Sequence, residues 1–368
     1  MHLVVGAYAL NRRKIVLLSY TPKTFTGGVN RWVSDFMFGF PEAVHYSWWD
    51  VPNWEQVDRG FCEWDKASIL TRWLTHERLI DRGDIIIGDG FWCDNLMSFG
   101  FKNVVSVAHG IWSHLTMDDV VSGKQPEFPT HHHRQLEHRR RHLEEGGPIV
   151  AVSDFIAEQM RLQWGFESTV INTGIDLQKY APAEKRIERR RPIIIHGVND
   201  RTNLNKGWDH IELLERTFDR DDGAGADVFS LDKMMLCLAA SIDPAPAGEL
   251  KSRALAQADL VVIPSGFEGN SLFCLEALAC DIPIVAYDVG LPYRAARDGA
   301  EIGLVAERRS RSPQVTTQLV SSALSIVSCV GRRRFQPQQW VSQFSLDGFH
   351  GMWRTFLRDR FGYDTPQG

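Results

Sequence analysis

Short apolar runs that end on glycine or a polar residue recur along the chain, each followed by a stretch of helical periodicity. KIVLLSY at 14–20 runs into TPKTFTGG, as a buried parallel strand does before a glycine-rich turn, and VNRWVSDFMFGF then predicts a helix. DIIIGDG at 84–90 and NVVSVAHG at 103–110 predict two further buried strands. Both end on Gly beside a polar or ionisable residue, where functional groups sit in open α/β sheets. Residues 118–147 read as a loop with a charged helix, then PIVAVS as a strand and SDFIAEQMRLQWG as a helix, with Ser153 the expected N-cap and Gly165 the stop. STVINTGIDLQKY reads as strand and turn. APAEKRIERRR at 181–191 has no apolar periodicity and is the expected inter-domain linker.

The alternation then restarts. PIIIHG, WDHIELLERTF, ADLVVIPS at 258–265, SLFCLEALAC and IPIVAYD at 282–288 predict strand, helix, strand, a helix of about three turns, and strand. FSLDGFHGMWRTFLRDRF ends the pattern as an amphipathic helix with Phe349, Trp353 and Phe356 on one side. Alternating β and α in both halves predicts an α/β fold of two doubly wound, Rossmann-like parallel sheets facing across a cleft. The 368 residues suit two such domains, with 43% hydrophobic residues to fill their cores.

Composition narrows the function classes. A formal net charge of −5 argues against a chain held on nucleic acid by overall charge. Only 10 of the 41 basic residues are Lys; the Arg excess suits planar recognition of phosphate or carboxylate, or reflects an Arg-favouring genome. Cysteines 62, 93, 237, 274, 280 and 329 form no CxxC pair, as expected for unpaired thiols in a reducing compartment. The N-terminus lacks the charge order of a secretory signal, and no stretch reaches about 18 apolar residues. A cytoplasmic protein, at most peripheral at the inner membrane face, is expected.

PSGFEGNSLFCLEALACDIPIVAYDVG, residues 264–290, carries the strongest chemical signal. Glu268 falls in the loop and Glu276 within the helix. The amides of Asn270, Ser271 and Leu272 open that helix and offer unpaired donors to an anion such as a diphosphate. Glu276, about a turn further in, suits the vicinal diol of a ribose, and Glu268 faces whatever hangs beyond the diphosphate. Spacing alone leaves an ordinary surface loop and helix equally open.

The segment resembles the E-x7-E signature of retaining GT-B glycosyltransferases, particularly the large GT4 group, and other segments agree in order. The glycine-rich loop with Gly27 and Gly28, Arg31 near the next helix start, His109 at a strand end, VSDFIAEQMRLQWGFESTVINTGIDLQKY, and Arg201 and Lys206 before a helix all resemble that family. The resemblance implies GT-B domains at 1–180 (acceptor side) and 181–345 (donor side), with 346–368 packing back on the first domain. It implies transfer from a nucleoside-diphosphate sugar with retention, no metal, and no cofactor beyond that co-substrate. Glu268 and His109 are the expected catalytic residues; Gly28, Arg201, Lys206, Asn270, Ser271, Leu272 and Glu276 the expected donor-binding residues. The sequence departs from the pattern where Val-Asn-Asp separates Gly197 from Arg201, where Asp281 replaces the usual Gly after the helix, and in the 61 residues between Lys206 and Glu268, which imply a trimmed donor domain.

On the acceptor side the candidates are Arg31, Trp48, Trp49, Arg139 and Arg140, the tryptophans as stacking faces. A glycan or lipid-linked sugar is the favoured acceptor and a hydroxylated base of viral DNA the alternative. A nucleotide-binding oxidoreductase is disfavoured because no G-x-G-x-x-G follows the first strand; an inactive sugar-nucleotide-binding module is disfavoured by the intact polar residues. Asp118–Asp119, Asp221–Asp222, the Arg runs at 139–141, 189–191 and 332–334, and the histidines 131–133, 138 and 142 read as solvated loops and faces.

Overall fold

The computed structural model describes residues 13–20, 28–57, 63–93, 96–111, 113–126, 129–183, 191–198, 202–218, 225–241, 247–331 and 335–363. Gly27, Trp112, Arg201, Asp221, Asp222, the turn at 21–27, most of 181–191 and the Arg run at 332–334 lie outside them.

The first domain runs β1 (Ile15–Ser19), α1 (Gly28–Gly39), β2 (Val44–Ser47), α2 (Trp54–Val57), α3 (Glu63–His76), β3 (Ile85–Asp89), β4 (Val104–Ala108), α4 (Met117–Val121), α5 (Pro129–Glu144), β5 (Ile149–Ala151), α6 (Asp154–Trp164) and β6 (Thr169–Val170). The second runs β7 (Ile193–His196), α7 (Trp208–Phe218), β8 (Asp227–Ser230), α8 (Leu231–Ser241), α9 (Ala247–Ala256), β9 (Leu260–Ile263), α10 (Leu272–Ala279), β10 (Ile284–Tyr287), α11 (Leu291–Arg297), β11 (Gly303–Ala306), α12 (Pro313–Val330) and α13 (Pro337–Val341). Helix α14 (Leu346–Phe361) follows.

Both sheets are parallel, with strand orders β2-β1-β3-β4-β5-β6 and β11-β10-β9-β7-β8. The strand order reverses between β1 and β3 in one sheet and between β7 and β9 in the other. Crevices open at such reversals, outside the carboxyl ends of the strands.

Period-two burial fixes the layers. Ile15 and Leu17 of β1 pack with Trp32 and Phe36 of α1, whereas Val16 and Leu18 point the other way, onto Leu70 and Leu74 of α3. The first of these layers is completed from the far end of the chain by Phe349, Trp353 and Leu357 of α14. Trp353 meets Phe36 edge-on with centroids 5.1 Å apart, and His350 Nε2 donates to the Asp35 carbonyl at 2.7 Å. Ser345 caps α14 by accepting from Gly348 N, and Gly362 in the left-handed region ends it.

The chain crosses between domains twice, side by side. Ile175 N donates to Phe344 O at 2.8 Å, and Leu346 N to Ile175 O at 3.0 Å. Ile175 and Tyr180 already pack in the second domain's core, so the first crossing falls a few residues ahead of the expected boundary at 180. Helix α6 has Ser153 as N-cap and Gly165 in the left-handed region. Asp281 takes the left-handed conformation (φ 57°) where a glycine is usual. Helix α10 is eight residues, nearer two turns than three.

Three buried histidines make the fold acid-sensitive. Burial holds His142 and His196 down to about 4 and pushes His210 in the same direction. Depressed in this way, they stabilise the fold fully above about 6.5, and that contribution is lost as pH falls toward about 4. Melting followed by circular dichroism is expected to show Tm dropping as pH falls below about 6.5. A level profile from neutral to acid pH would contradict this account.

Candidate active site in the inter-domain cleft

The second domain's wall is built where β7 and β9 end. A short 3₁₀ turn, Leu204–Lys206, docks on the loop after β9: Gly266 N donates to Asn205 O at 2.8 Å and Asn205 Nδ2 to Phe267 O at 2.9 Å. Gly207 sits at φ 75° with its Cα against the Pro264 carbonyl, a place only glycine fills without strain. This docking aims Lys206 Nζ at Glu268 Oε1, 2.6 Å away, with the lysine about two-fifths exposed and the glutamate mostly covered. Ser271 caps α10 by accepting from Cys274 N, leaving the amides just after it at the positive end of the helix.

The first domain's wall faces it. Gly28 opens α1 opposite Leu272, whose Cδ1 lies 4.0 Å from where a Cβ on Gly28 would stand. Arg31 pairs with Asp35 at 2.7 Å, and its guanidinium lies 5.9 Å from the Tyr180 ring centroid. His109, directly after β4, stands edge-on to Trp32, and Asp89 ends the adjacent β3.

The walls touch around Gly269. Ser153 Oγ donates to Gly269 O at 2.5 Å and Asn270 Nδ2 to Val152 O at 3.2 Å. Phe267 and Val289 join the first domain's Phe155 and Ile111 in one apolar cluster. Around it Arg308 reaches Asp119 and Thr116, and Arg294 pairs with Asp154 at 2.5 Å. This is a closed arrangement held by polar contacts at its rim. Arg308, Arg294, Tyr180 and Lys251 were not legible as interface or site residues, because each takes its meaning from a partner more than 20 positions away.

The structure brings Gly28, Arg31, His109, Lys206, Glu268, Asn270, Ser271 and Leu272 together on the cleft; Arg201 lies outside the described residues. Five expectations are corrected. Glu276 does not offer a vacant carboxylate: it is 2% exposed, accepts from Tyr180 Oη at 2.9 Å on Oε1, and has Lys251 Nζ 2.5 Å from Oε2. A charge at that depth is tolerated only when paired. Trp48 is fully buried, with Lys66 over its ring, so it presents no face to an acceptor; Trp49 is half-buried against Trp54 and donates to Tyr20 O at 3.1 Å. Arg139 is also internal, donating toward Met160 Sδ with Trp164 beside it, because the period of α5 turns it inward while Arg140 and Arg141 stay exposed. His142 of the same helix is buried as well. Asp119 is not a solvated loop charge: it completes the capping box of α4, and Lys124 and Arg308 hold its carboxyl well below the usual range.

Two facing parallel α/β domains with a C-terminal helix returning to the first define the GT-B fold. Residues 246–323, which carry Glu268 and Glu276, match the family model of glycosyl transferases group 1. No curated protein matches the chain. Among solved structures, the chain is similar to sucrose-phosphate synthase from Thermosynechococcus elongatus (TM-score 0.72, 14% identity, 96% of this chain and 100% of that one). It is also similar to HepE of Anabaena in complex with UDP-glucose (0.63, 13%, 95% and 100%) and to α,α-trehalose 6-phosphate synthase from Burkholderia multivorans (0.64, 12%, 95% and 99%). The fold and the matched segment together support a glycosyltransferase. No described helix is long and apolar enough to cross a membrane, and the described residues hold no cluster of three or more His, Cys, Asp and Glu suited to a metal ion.

Proposed function

We propose that the chain transfers a sugar from a nucleoside-diphosphate sugar to an acceptor hydroxyl with retention of configuration and without a metal. The observation that carries this reading is the convergence of Lys206, Glu268 and the start of α10 on one point of the cleft. A cation and unpaired amides stabilise negative charge that grows on a departing diphosphate. In the step, the bond from the sugar carbon to the β-phosphate oxygen breaks and its electron pair stays on the diphosphate. The acceptor oxygen forms the new bond from the same face, and its proton passes to the diphosphate.

Lys206 holds the diphosphate and Glu268 the hydroxyls of the sugar. UDP-glucose bound to HepE supports a nucleotide-sugar ligand for this cleft. The acceptor is a glycan or lipid-linked sugar rather than DNA: two of the residues that suit nucleic acid, Arg139 and Trp48, are internal. UDP-glucose, GDP-mannose and ADP-glucose are tested for thermal stabilisation with chelator present, and the anomer of the product is read by NMR. At least one donor is expected to raise Tm by several degrees, since a ligand of the folded state alone stabilises it. No shift with any donor, or an inverted product, rejects the proposal.

A further inference from the structure

The loop 264–270, which carries Glu268 from β9 to α10, has its carbonyls claimed one after another by side chains. Pro264 O accepts from Arg311 Nε at 2.8 Å and Phe267 O from Asn205 Nδ2 at 2.9 Å, both within the second domain. Gly266 O accepts from Arg308 Nε, and the same guanidinium reaches the other domain: its Nη1 pairs with Asp119 Oδ2 and donates to Thr116 Oγ1 at 3.2 Å. One planar, rigid group therefore spans the loop and the opposite wall, and it sets the direction of both bonds at once. Each end is fixed. Arg308 follows β11 directly, with its own amide donating to Asp288 Oδ1 at 2.5 Å. Asp119 is buried in the capping box of α4, and α4 is tied to α6 by Met117 N on Gln159 Oε1 at 2.8 Å. Burial alone would raise the Asp119 carboxyl; Arg308 and Lys124 outweigh it, so the brace is an ion pair.

Resting on the proposed function, we propose that Arg308 is a positioning residue for the sugar: braced on Asp119 across the cleft, it fixes the Gly266 carbonyl and so places Glu268 against the sugar's hydroxyls. Glu268 lies two residues past Gly266, and Phe267 between them is packed edge-on against Phe155 of the first domain, with centroids 5.4 Å apart. When the domains part, the guanidinium loses Asp119 and Thr116 and no longer has a fixed direction from which to hold the loop. Glu268 is then in place only in the closed arrangement. Arg294 provides the comparison. It also ties the domains, through Asp154 at 2.5 Å, but its other partner is Asp298 at the end of its own helix, away from the loop.

Calorimetry on the full chain compares each sugar nucleotide with its parent nucleotide: UDP-glucose with UDP, GDP-mannose with GDP, and ADP-glucose with ADP. The affinity gained from the sugar is the readout. Glu268→Gln is expected to cut that gain about tenfold, and Arg308→Ala to cut it about as much while leaving nucleotide affinity within about twofold. Adding Arg308→Ala to Glu268→Gln costs no more than about twofold further, because a residue that acts through Glu268 then has nothing left to place. Arg294→Ala leaves the gain within about twofold. Lys124 stays on Asp119 at 2.6 Å, so Arg308→Ala keeps its buried carboxylate paired and melts near the wild type. Should that variant fail to fold, Asp119→Asn removes the charge of the brace in a side chain of the same shape and is expected to cut the gain about threefold. An unmoved gain in the variant measured, an equal loss in Arg294→Ala, losses that add in the double variant, or a matching loss with nucleotide alone overturns the assignment. So does a wild type that binds nucleotide with no gain from the sugar. A wild-type chain that binds none of the three pairs removes the proposed function with it, whereas intact nucleotide binding with any of those results removes this inference alone.

Discussion

Lys206→Ala is expected to weaken binding of the sugar nucleotide about a hundredfold while leaving the melting temperature close to that of the wild type. A hydrogen bond from an ammonium to an ionised partner is worth about 1.5–3 kcal/mol, and a diphosphate takes more than one. The loss has a second component. Lys206 Nζ sits 2.6 Å from Glu268 Oε1, so removing it leaves the carboxylate uncompensated and facing the incoming anion. The fold loses little, because the lysine is substantially exposed and an ion pair in that setting contributes little to stability. Adding Glu268→Gln to the alanine variant is therefore expected to restore part of the nucleotide affinity, which a purely additive pair of losses would not do. Lys206→Arg is not a rescue, since the planar guanidinium does not occupy the position of a compact ammonium. Calorimetry with the donor found by thermal stabilisation checks all four chains. An affinity within twofold of wild type in Lys206→Ala would remove the lysine from the site.

Gly269→Ala is expected to slow turnover about a hundredfold. A methyl group on Gly269 would fall on the His109 carbonyl oxygen, which is fixed backbone at the end of a buried strand. Neither atom is the far end of a flexible side chain, so relief comes only by moving one domain off the other. That separation breaks the Ser153 and Asn270 bonds to the opposite wall and draws Glu268 away from His109. A displacement of about 1 Å between reacting groups is enough for a loss of this size. Gly351, within α14, has open space where a Cβ would stand, and Gly351→Ala is the control: unchanged turnover, with a gain from helix propensity of up to about 1 kcal/mol. Donor hydrolysis and small-angle scattering on both variants test the idea. Turnover within threefold of wild type in Gly269→Ala, with unchanged dimensions, would show that the contact is not needed for activity.

The elements most legible in the sequence were those whose apolar residues all face inward. β1, β7, β9 and β10 are continuous buried runs, and α6 has a clear start and stop in Ser153 and Gly165. β2, β8 and β11 were missed because they lack the continuous buried run of β7, β9 and β10: β2 alternates between half-buried and buried positions, and β8 and β11 are only half-buried at the sheet edges. α12 was missed for another reason: its Val, Ile, Thr and Ser residues carry strand or turn propensity, yet Val320 and Ala323 bury against α7 and the sheet, and packing overrides propensity. At the site, Lys206 and Glu268 were readable because they lie at element ends. The burial of Glu276 under Tyr180 and Lys251 was not, since spacing reports which face of a helix a residue occupies and not what arrives from elsewhere to cover it. The same limit applies to Arg139, whose neighbours in an arginine run point outward.

Because Phe349, Trp353 and Leu357 lie in the same layer as Ile15 and Leu17 of β1, the first domain to leave the ribosome is the last to be finished. Its sheet must wait, with one apolar face uncovered, until the end of the chain has been made. The second domain draws its core from residues that emerge before that point and can complete itself first. Order of synthesis and order of completion are thus reversed along this chain, and a ribosome that stops shortly before α14 releases a protein with an intact second domain and an adhesive, unsealed first one.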